Sequence, residues 1–341
     1  MPMEYFRPIV MCDAARPADA LSLAGGSCWF DRIEVLSRNA SPKLIAAKDA
    51  PREFRNLLSQ PRADFAGVSL DRPRLMGVLN VTPDSFSDAG QNLAPKAALM
   101  RGRQIARAAE FLDIGGESTR PGAVEVPVAE EVARTVPVIE ALRQGGLRGP
   151  ISIDTRKALV AAAALRAGAN LVNDVSGLGF DPALGPLVAR LAVPVILMHA
   201  RGLPATMQND AQYDDVLLDV YDALSARISA AVALGIDRAK IAIDPGIGFA
   251  KTAGHNLTLI RNLSLFHALG CPIVLGASRK RFIGSIGGAE RAEDRAPGSI
   301  AVALAGIAQG VQIIRVHDIA QTRQALRLWQ AVNGALQEAQ A

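Results

Sequence analysis

ISIDTRKALVAAAALRAGANLVND, residues 151–174, is the stretch that decides the fold. Ile151 to Asp154 is a short apolar run that stops at a carboxylate. Residues 156–167 are rich in Ala and Leu and keep helical periodicity. Gly168 punctuates, and NLVND (170–174) is a second apolar run that again stops at polar groups. Strand, helix, strand in this order predicts parallel pairing through a right-handed crossover. Runs that are apolar throughout, not alternating, fit a sheet covered by helices.

The same unit recurs on both sides. Upstream lie LMGVLN (75–80) and FLDIG (111–115); downstream lie PVILMH (194–199), KIAID (240–244), PIVLGA (272–277) and QIIRVH (312–317). With ISID and NLVND that makes eight strands. Helical segments are predicted between them at residues 94–109, 128–143, 156–167, 213–234, 257–269 and 298–309. Eight such units in about 245 residues is the size of one (β/α)₈ TIM barrel. An open doubly wound sheet is the alternative, and it usually has fewer strands. The first 72 residues do not fit the repeat and are expected to be an N-terminal extension packed on the barrel, with a hairpin (CWFDRIEVL, 28–36, has strand character) and a short helix. Residues 73–335 are expected to form the catalytic barrel.

Composition narrows the function classes. The chain has 341 residues, half of them hydrophobic, and a formal charge of +4. That excess is too mild to argue for nucleic acid. No uninterrupted apolar run approaches the roughly 18 residues of a membrane span. The N-terminal twenty residues carry Arg7, Asp13, Arg16 and Asp19 and do not resemble a signal peptide. The three cysteines, Cys12, Cys28 and Cys271, form no C-x-x-C and suggest no disulfide framework, so a reducing cytoplasm is the expected location.

Polar residues collect where the strands end: Asn80, Asp113, Asp154, Asn173, Asp174, His199, Asp244, Ser278, Arg315 and His317. Packing does not require this, whereas the C-terminal rim of such a barrel is where active sites lie. GVLNVTPDSFSD (77–88) runs from a strand into a polar loop; Asn80 offers a neutral oxygen suited to a hard cation. DIGGESTRPGA (113–123) places hydroxyls, a carboxylate and a guanidinium after two glycines, as an anion loop would. Asp154, Asn173 and Asp244 suit a heterocycle edge with adjacent N–H donors. For Asp154 the bland reading is an N-cap on the next helix. GASRKRFIG (276–284) sets basic residues at a helix start, where a carboxylate or phosphate should sit. Arg315 and His317 are two apart on one strand and so share a face. There is no zinc spacing, no G-x-S-x-G and no Walker loop.

Taken in order, MGVLNVTPDSFSD, DIGGESTRPGA, ISIDT, NDVSG, LMHARGLPATMQ, DPGIGF, GASRKRFIG and IIRVHD resemble dihydropteroate synthase from about Leu75 to Val332. The resemblance implies a transferase of folate biosynthesis, a sulfonamide target, usually a homodimer. It would join 6-hydroxymethyl-7,8-dihydropterin diphosphate to p-aminobenzoate with Mg²⁺. By matching motifs, Asp154, Asn173, Met198, Asp244 and Lys280 would hold the pterin. Asn80 would ligate Mg²⁺, with Thr119, Arg315 and His317 on the diphosphate. Thr119, Pro121, Phe249 and Ser278 would form the p-aminobenzoate pocket, and Asp84, Phe86 and Arg120 would sit on mobile loops. Neither nucleic acid nor membrane is an implied partner. Two departures are Ile247, where the family often has an aromatic, and Ala250, where it often has glycine. A pterin-binding methyltransferase domain and a catalytically silent paralogue are the alternatives. Without ligand, Arg315 is expected to be solvated and to matter little for stability.

Overall fold

The computed structural model describes residues 3–81, 94–118, 123–202 and 211–334. Near the N-terminus, β1 (Tyr5–Pro8), β2 (Leu21–Ser22), β3 (Trp29–Phe30), β4 (Arg32–Ser37) and β5 (Ala40–Ala46) precede helix α1 (Arg52–Ser59). Strands β1, β4 and β5 make an antiparallel sheet, with β4 and β5 as its hairpin. The stretch CWFDRIEVL does have strand character, but it is broken at Asp31, and its halves join different sheets.

The barrel strands follow: β6 (Arg74–Asn80), β7 (Phe111–Gly115), β8 (Ile151–Asp154), β9 (Leu171–Asp174), β10 (Val195–Met198), β11 (Ile241–Asp244), β12 (Val274–Leu275) and β13 (Ile313–Val316). They form one eight-stranded sheet in the order β11-β10-β9-β8-β7-β6-β13-β12. All its pairings are parallel. Its two ends meet where Ile243 bridges Ile273 and the Ile243 N–H donates to the Pro272 carbonyl at 2.9 Å, which closes the barrel. The helices between strands are α2 (Ala94–Ala106), α3 (Val128–Gln144), α4 (Ala158–Ala167), α5 (Leu184–Leu191), α6 (Val216–Ala233), α7 (Ala253–Arg261), α8 (Arg281–Gly287), α9 (Ala296–Ile307) and, after β13, α10 (Ile319–Val332).

Two apolar layers hold this together. Inside the barrel, Met76, Phe111, Leu171, Ile196, Ala242, Val274 and Ile313 pack with Phe65 and Leu70, which arrive from the extension and plug the lower opening. Between strands and helices lies the larger core, and Tyr5, Phe6, Phe30, Ile33 and Leu58 of the extension belong to it. Burying a Phe or Leu side chain contributes on the order of 1.5–3 kcal/mol, so the extension is fastened by apolar packing with the barrel. Tyr5 Oη also donates to Asp222 at 2.9 Å, and Ser264 Oγ to the Pro8 carbonyl at 3.0 Å.

The helix expected over 257–269 forms differently. Thr252 accepts from the His255 N–H in a capping box, so α7 begins earlier, at Ala253. Asn262 then ends it: its side-chain amide donates to the Thr258 carbonyl at 2.9 Å, and a 3₁₀ turn over Leu263–Leu269 follows. An Asn that satisfies a backbone carbonyl competes with helix propagation at that position.

Candidate active site

The C-terminal ends of the strands converge on a mouth walled by carboxylates. Asn80 ends β6, Asp154 ends β8, Asn173 lies on β9, Met198 ends β10 and Asp244 ends β11. Register puts Asn80 level with Gly115, Gly115 with Asp154, Asp154 with Asn173, and Met198 with Asp244. The two glycines at this level keep the mouth open. A Cβ on Gly115 would lie 3.7 Å from Asp154 Oδ2 and 3.8 Å from Asn80 Oδ1; one on Gly276 would lie 3.2 Å from Asp244 Oδ2.

Arg315, on β13, reaches across this space. Its Nε donates to Asp113 Oδ2 at 2.6 Å, and a terminal nitrogen donates to Asp154 Oδ2 at 2.6 Å. The sequence-based expectation of a solvated Arg315 is therefore corrected. Its side chain is only 21% exposed, because β7 and β8 bring two carboxylates under it. Burial works against the guanidinium charge, but Asp113 and Asp154 outweigh it and push its pKa above the ordinary value. Asp113, fully buried and not among the residues assigned a ligand, also accepts from Asn173 Nδ2 at 3.2 Å. That bond turns the Asn173 amide so that its oxygen is the atom left for another partner.

Two carboxylate oxygens, Asp113 Oδ1 and Asp154 Oδ1, are buried with no hydrogen-bond partner. Leaving a buried acceptor unsatisfied costs about 1–3 kcal/mol, and of the two only Asp154 ends its strand at the mouth, Asp113 lying two residues short of the end of β7. Desolvation lifts the Asp154 pKa to about 7, with Arg315 opposing and Asp113 adding to the rise. Asp244 is also pushed up by burial, although it accepts from the Gly246 N–H at 2.7 Å. The N-cap reading of Asp154 fails, because Asp181 Oδ2 accepts from the Ala158 N–H at the start of α4 at 2.7 Å. Asp174, by contrast, is structural: it accepts from the Ser176 and Leu178 amides at 2.7 and 2.6 Å.

Around this polar floor the walls are apolar. Met198 and Phe249 pack together with Val175 and Ala250. Lys280 Nζ stands 4.0 Å from the centroid of the Phe249 ring, a cation on an aromatic face. Ser278 Oγ accepts from the His317 N–H at 3.2 Å and sits 3.1 Å from His317 Nδ1, so the loops after β12 and β13 are tied together. Within the basic run, Arg279 turns away from the mouth's carboxylates and forks onto Asp318 at 3.0 and 2.5 Å. Asp84, Phe86, Thr119, Arg120 and Pro121 lie outside the described residues.

Two further charged groups back the mouth. Glu117 accepts from Arg156 at 2.8 Å and from Lys157, which also bonds Glu131 at 2.8 Å. This network joins the end of DIGGE to the segment just after Asp154. Behind Asp244, the buried Lys251 lies 2.9 Å from His199 Nδ1 and donates to the Phe249 carbonyl at 3.0 Å. Burial lowers the Lys251 pKa to about 7 and the His199 pKa to about 2. Ala250 beside it has φ of 48°, a left-handed backbone where glycine is the easier residue.

A carboxylate-lined mouth with an arginine clamp and an aromatic-bound lysine is the setting in which comparison with known proteins becomes decisive. The family described as pterin binding enzyme matches residues 76–317, which include every strand end named above. A dihydropteroate synthase from Synechocystis sp. is 47% identical over 249 residues, covering 73% of this chain and 86% of that protein. The chain belongs to the dihydropteroate synthase family of pterin-binding enzymes.

Solved structures of the family agree with this fold. The Xanthomonas albilineans dihydropteroate synthase with 4-aminobenzoic acid superposes with a TM-score of 0.76 at 47% identity, covering 81% of this chain and 99% of that one. The Yersinia pestis enzyme in complex with a sulfonamide drug does so with a TM-score of 0.74 at 42% identity, covering 79% and 97%. These comparisons leave part of this chain uncovered, and the family match starts at residue 76, beyond the extension.

Proposed function

We propose that the chain condenses 6-hydroxymethyl-7,8-dihydropterin diphosphate with p-aminobenzoate, giving 7,8-dihydropteroate and diphosphate for folate biosynthesis. The observation that carries the reading at the level of residues is the buried, partnerless Asp154 Oδ1 beside the Arg315 clamp.

In this reading Asp154 and Asp244 accept the N–H groups of the aminopyrimidine edge. Asn173 accepts with the oxygen that its bond to Asp113 leaves available. Met198 lies under the ring, and Lys280 binds the opposite edge. Arg315 spends two donors on Asp113 and Asp154 and keeps others for a diphosphate oxygen. His317, with Thr119, completes that site. Thr119, Pro121, Phe249 and Ser278 receive p-aminobenzoate, and the same pocket would take a sulfonamide. Asp84, Phe86 and Arg120 lie on loops that close over the ligands.

Asn80 Oδ1, beside Gly115, is an oxygen of the kind a hard cation takes. Among the described residues no cluster of three or more His, Cys, Asp or Glu gathers to hold a metal. Asn80, a neutral oxygen donor at the end of β6, would hold the Mg²⁺ together with the substrate. When bound there, Mg²⁺ would supply neutralisation of the leaving diphosphate.

The chemistry of the residues follows from charge. As the C–O bond to diphosphate breaks, the pterin becomes cation-like, and the Asp154 and Asp244 carboxylates stabilise it. Arg315 and His317 stabilise the departing oxyanion. The neutral arylamine attacks, and the apolar Met198–Phe249 wall keeps water from competing. The same reading places the chain in the cytoplasm as a homodimer, checked by sedimentation. The deciding assay is diphosphate release from the pterin substrate with and without p-aminobenzoate and Mg²⁺. Release that needs both, with dihydropteroate found by mass, supports the reading; a folded chain that releases none overturns it.

A further inference from the structure

The extension holds a pair of thiols that the reaction does not use. Cys12 Sγ and Cys28 Sγ are 3.2 Å apart. Both are free, Cys12 partly exposed and Cys28 buried. The backbone explains the closeness. Met11 and Trp29 exchange both amide hydrogen bonds, at 2.8 and 2.9 Å, in an antiparallel bridge. One step along, residues 12 and 28 form the non-hydrogen-bonded pair, where Cα atoms approach to about 4.5 Å. That spacing falls within the window for a disulfide. Each sulfur also lies against the end of α9: Cys12 Sγ is 3.4 Å from the Ala308 carbonyl and Cys28 Sγ 3.7 Å from that of Ile307. Cys12 is itself partly exposed, and a shallow cleft with Leu23, Cys28 and Ile307 in its wall lies on the other side of the pair, so a small oxidant meets Cys12 from solvent.

We propose that Cys12 and Cys28 are an oxidative modification site, at which a peroxide forms a reversible disulfide that welds the segment following β1 to the β2–β3 hairpin beneath the barrel. The contact between the two sulfurs lowers the Cys12 pKa, and the same contact together with burial raises that of Cys28. Cys12, the partly exposed sulfur that solvent reaches, is the nucleophile, and the buried Cys28 3.2 Å away is the resolving thiol. The Cys12 sulfur attacks one peroxide oxygen. An S–O bond forms, the O–O bond breaks, and hydroxide leaves to become water with the proton that Cys12 had released. Cys28 sulfur then attacks Cys12 sulfur. The S–S bond forms, the S–O bond breaks, and water leaves with the Cys28 proton. Two thiols are oxidised and one hydrogen peroxide is reduced to two waters. A dithiol reductant reverses the step by exchange.

Both cysteines lie outside the 76–317 match, so the proposal concerns what this chain adds to its family. The test treats the full-length reduced chain with hydrogen peroxide, denatures it with an alkylating agent, and maps peptides without reduction. The expected result is a loss of two hydrogens, a peptide linking Cys12 to Cys28, and one alkylated thiol, Cys271. The melting temperature should rise by several degrees, because a loop of this length is then closed in the unfolded chain. In Cys28→Ser, Cys12 should stop as a sulfenic acid that a 1,3-dione probe captures. Three alkylated thiols after peroxide, sulfinic acid on Cys12 with no link, or a link only between two chains would each overturn the proposal. If Cys28→Ser does not fold, the wild-type peptide map alone decides.

Discussion

Arg315 Nε donates to Asp113 Oδ2 at 2.6 Å, and these residues are 202 positions apart in the chain. The bond fastens β13 to β7 across the barrel interior. Because Asp113 also accepts from Asn173 at 3.2 Å, one buried carboxylate orients two residues that face the ligand. Its role is to position them, since a side chain with no exposed surface lies beneath the groups that touch substrate.

Asp113→Asn should therefore cost both stability and pterin binding. Removing one partner of a buried ion pair costs about 3–5 kcal/mol; the amide keeps the shape, so about 2–3 kcal/mol is expected. The Asn173 amide loses its anchor, and affinity for a pterin analogue should drop about tenfold, as a 1.4 kcal/mol loss implies. Thermal melting and titration calorimetry on one preparation check this. A variant with ordinary melting and ordinary affinity contradicts the positioning role.

Arg315→Lys tests the clamp from its other end. Lysine cannot span two carboxylates with one ammonium as a guanidinium does. kcat/KM should fall roughly tenfold or more, since a charge-assisted bond contributes about 1.5–3 kcal/mol. The melting temperature should fall too, because Asp113 and Asp154 lose their common cation. Steady-state kinetics beside a melting curve separate the possibilities: unchanged kinetics in a destabilised variant would make Arg315 purely structural.

The architecture was legible in the sequence because the barrel strands are short apolar runs, most with a polar residue at or just past the end. ISID, for instance, is β8 without adjustment. The helix at 257–269 was misplaced because Thr252 and Asn262 set its ends by side-chain bonds that periodicity does not reveal. At the site, the chain-local groups were readable, since Asp154 and Asp244 end their strands. Asp113 appeared as one more strand carboxylate. Its partner lies on the last strand, and spacing along the chain carries no signal of that contact. The Cys12–Cys28 contact was hidden for the same reason: only the bridge between Met11 and Trp29 sets the register.

Lys251 gives a pH signature. Burial, opposed in part by Asp244, lowers its pKa from 10.5 to about 7. Between those two values the unfolded chain holds a proton that the folded chain does not. Stability must then rise with pH across that window, and the cost of burying the ammonium is fully present below pH 7. Lys251→Met removes this titrating group, so the upward slope between roughly pH 7 and pH 10 should flatten in the variant. Denaturant midpoints at several pH values measure it. An equal slope in both proteins would show that Lys251 is charged throughout.

Asp154→Asn probes the atom on which the ligand reading rests. Asp154 Oδ1 is buried without a partner, and Oδ2 accepts from Arg315 at 2.6 Å. An amide can keep one oxygen toward Arg315 and turn its NH₂ to the pterin, or the reverse. In the first case two donors oppose each other at the aminopyrimidine edge. In the second the arginine loses an acceptor, and its charge is left with Asp113 alone. Each arrangement leaves a buried group unsatisfied, which costs about 1–3 kcal/mol, equivalent to a loss of roughly 5- to 150-fold in affinity. The variant also lacks a carboxyl whose folded pKa stands near 7, so binding should no longer release the proton that wild type gives up when the ligand recruits the ionised form. Titration of a pterin analogue in buffers of different ionisation enthalpy reads affinity and proton release together. Wild-type affinity with undiminished proton release in Asp154→Asn would move pterin recognition away from this residue.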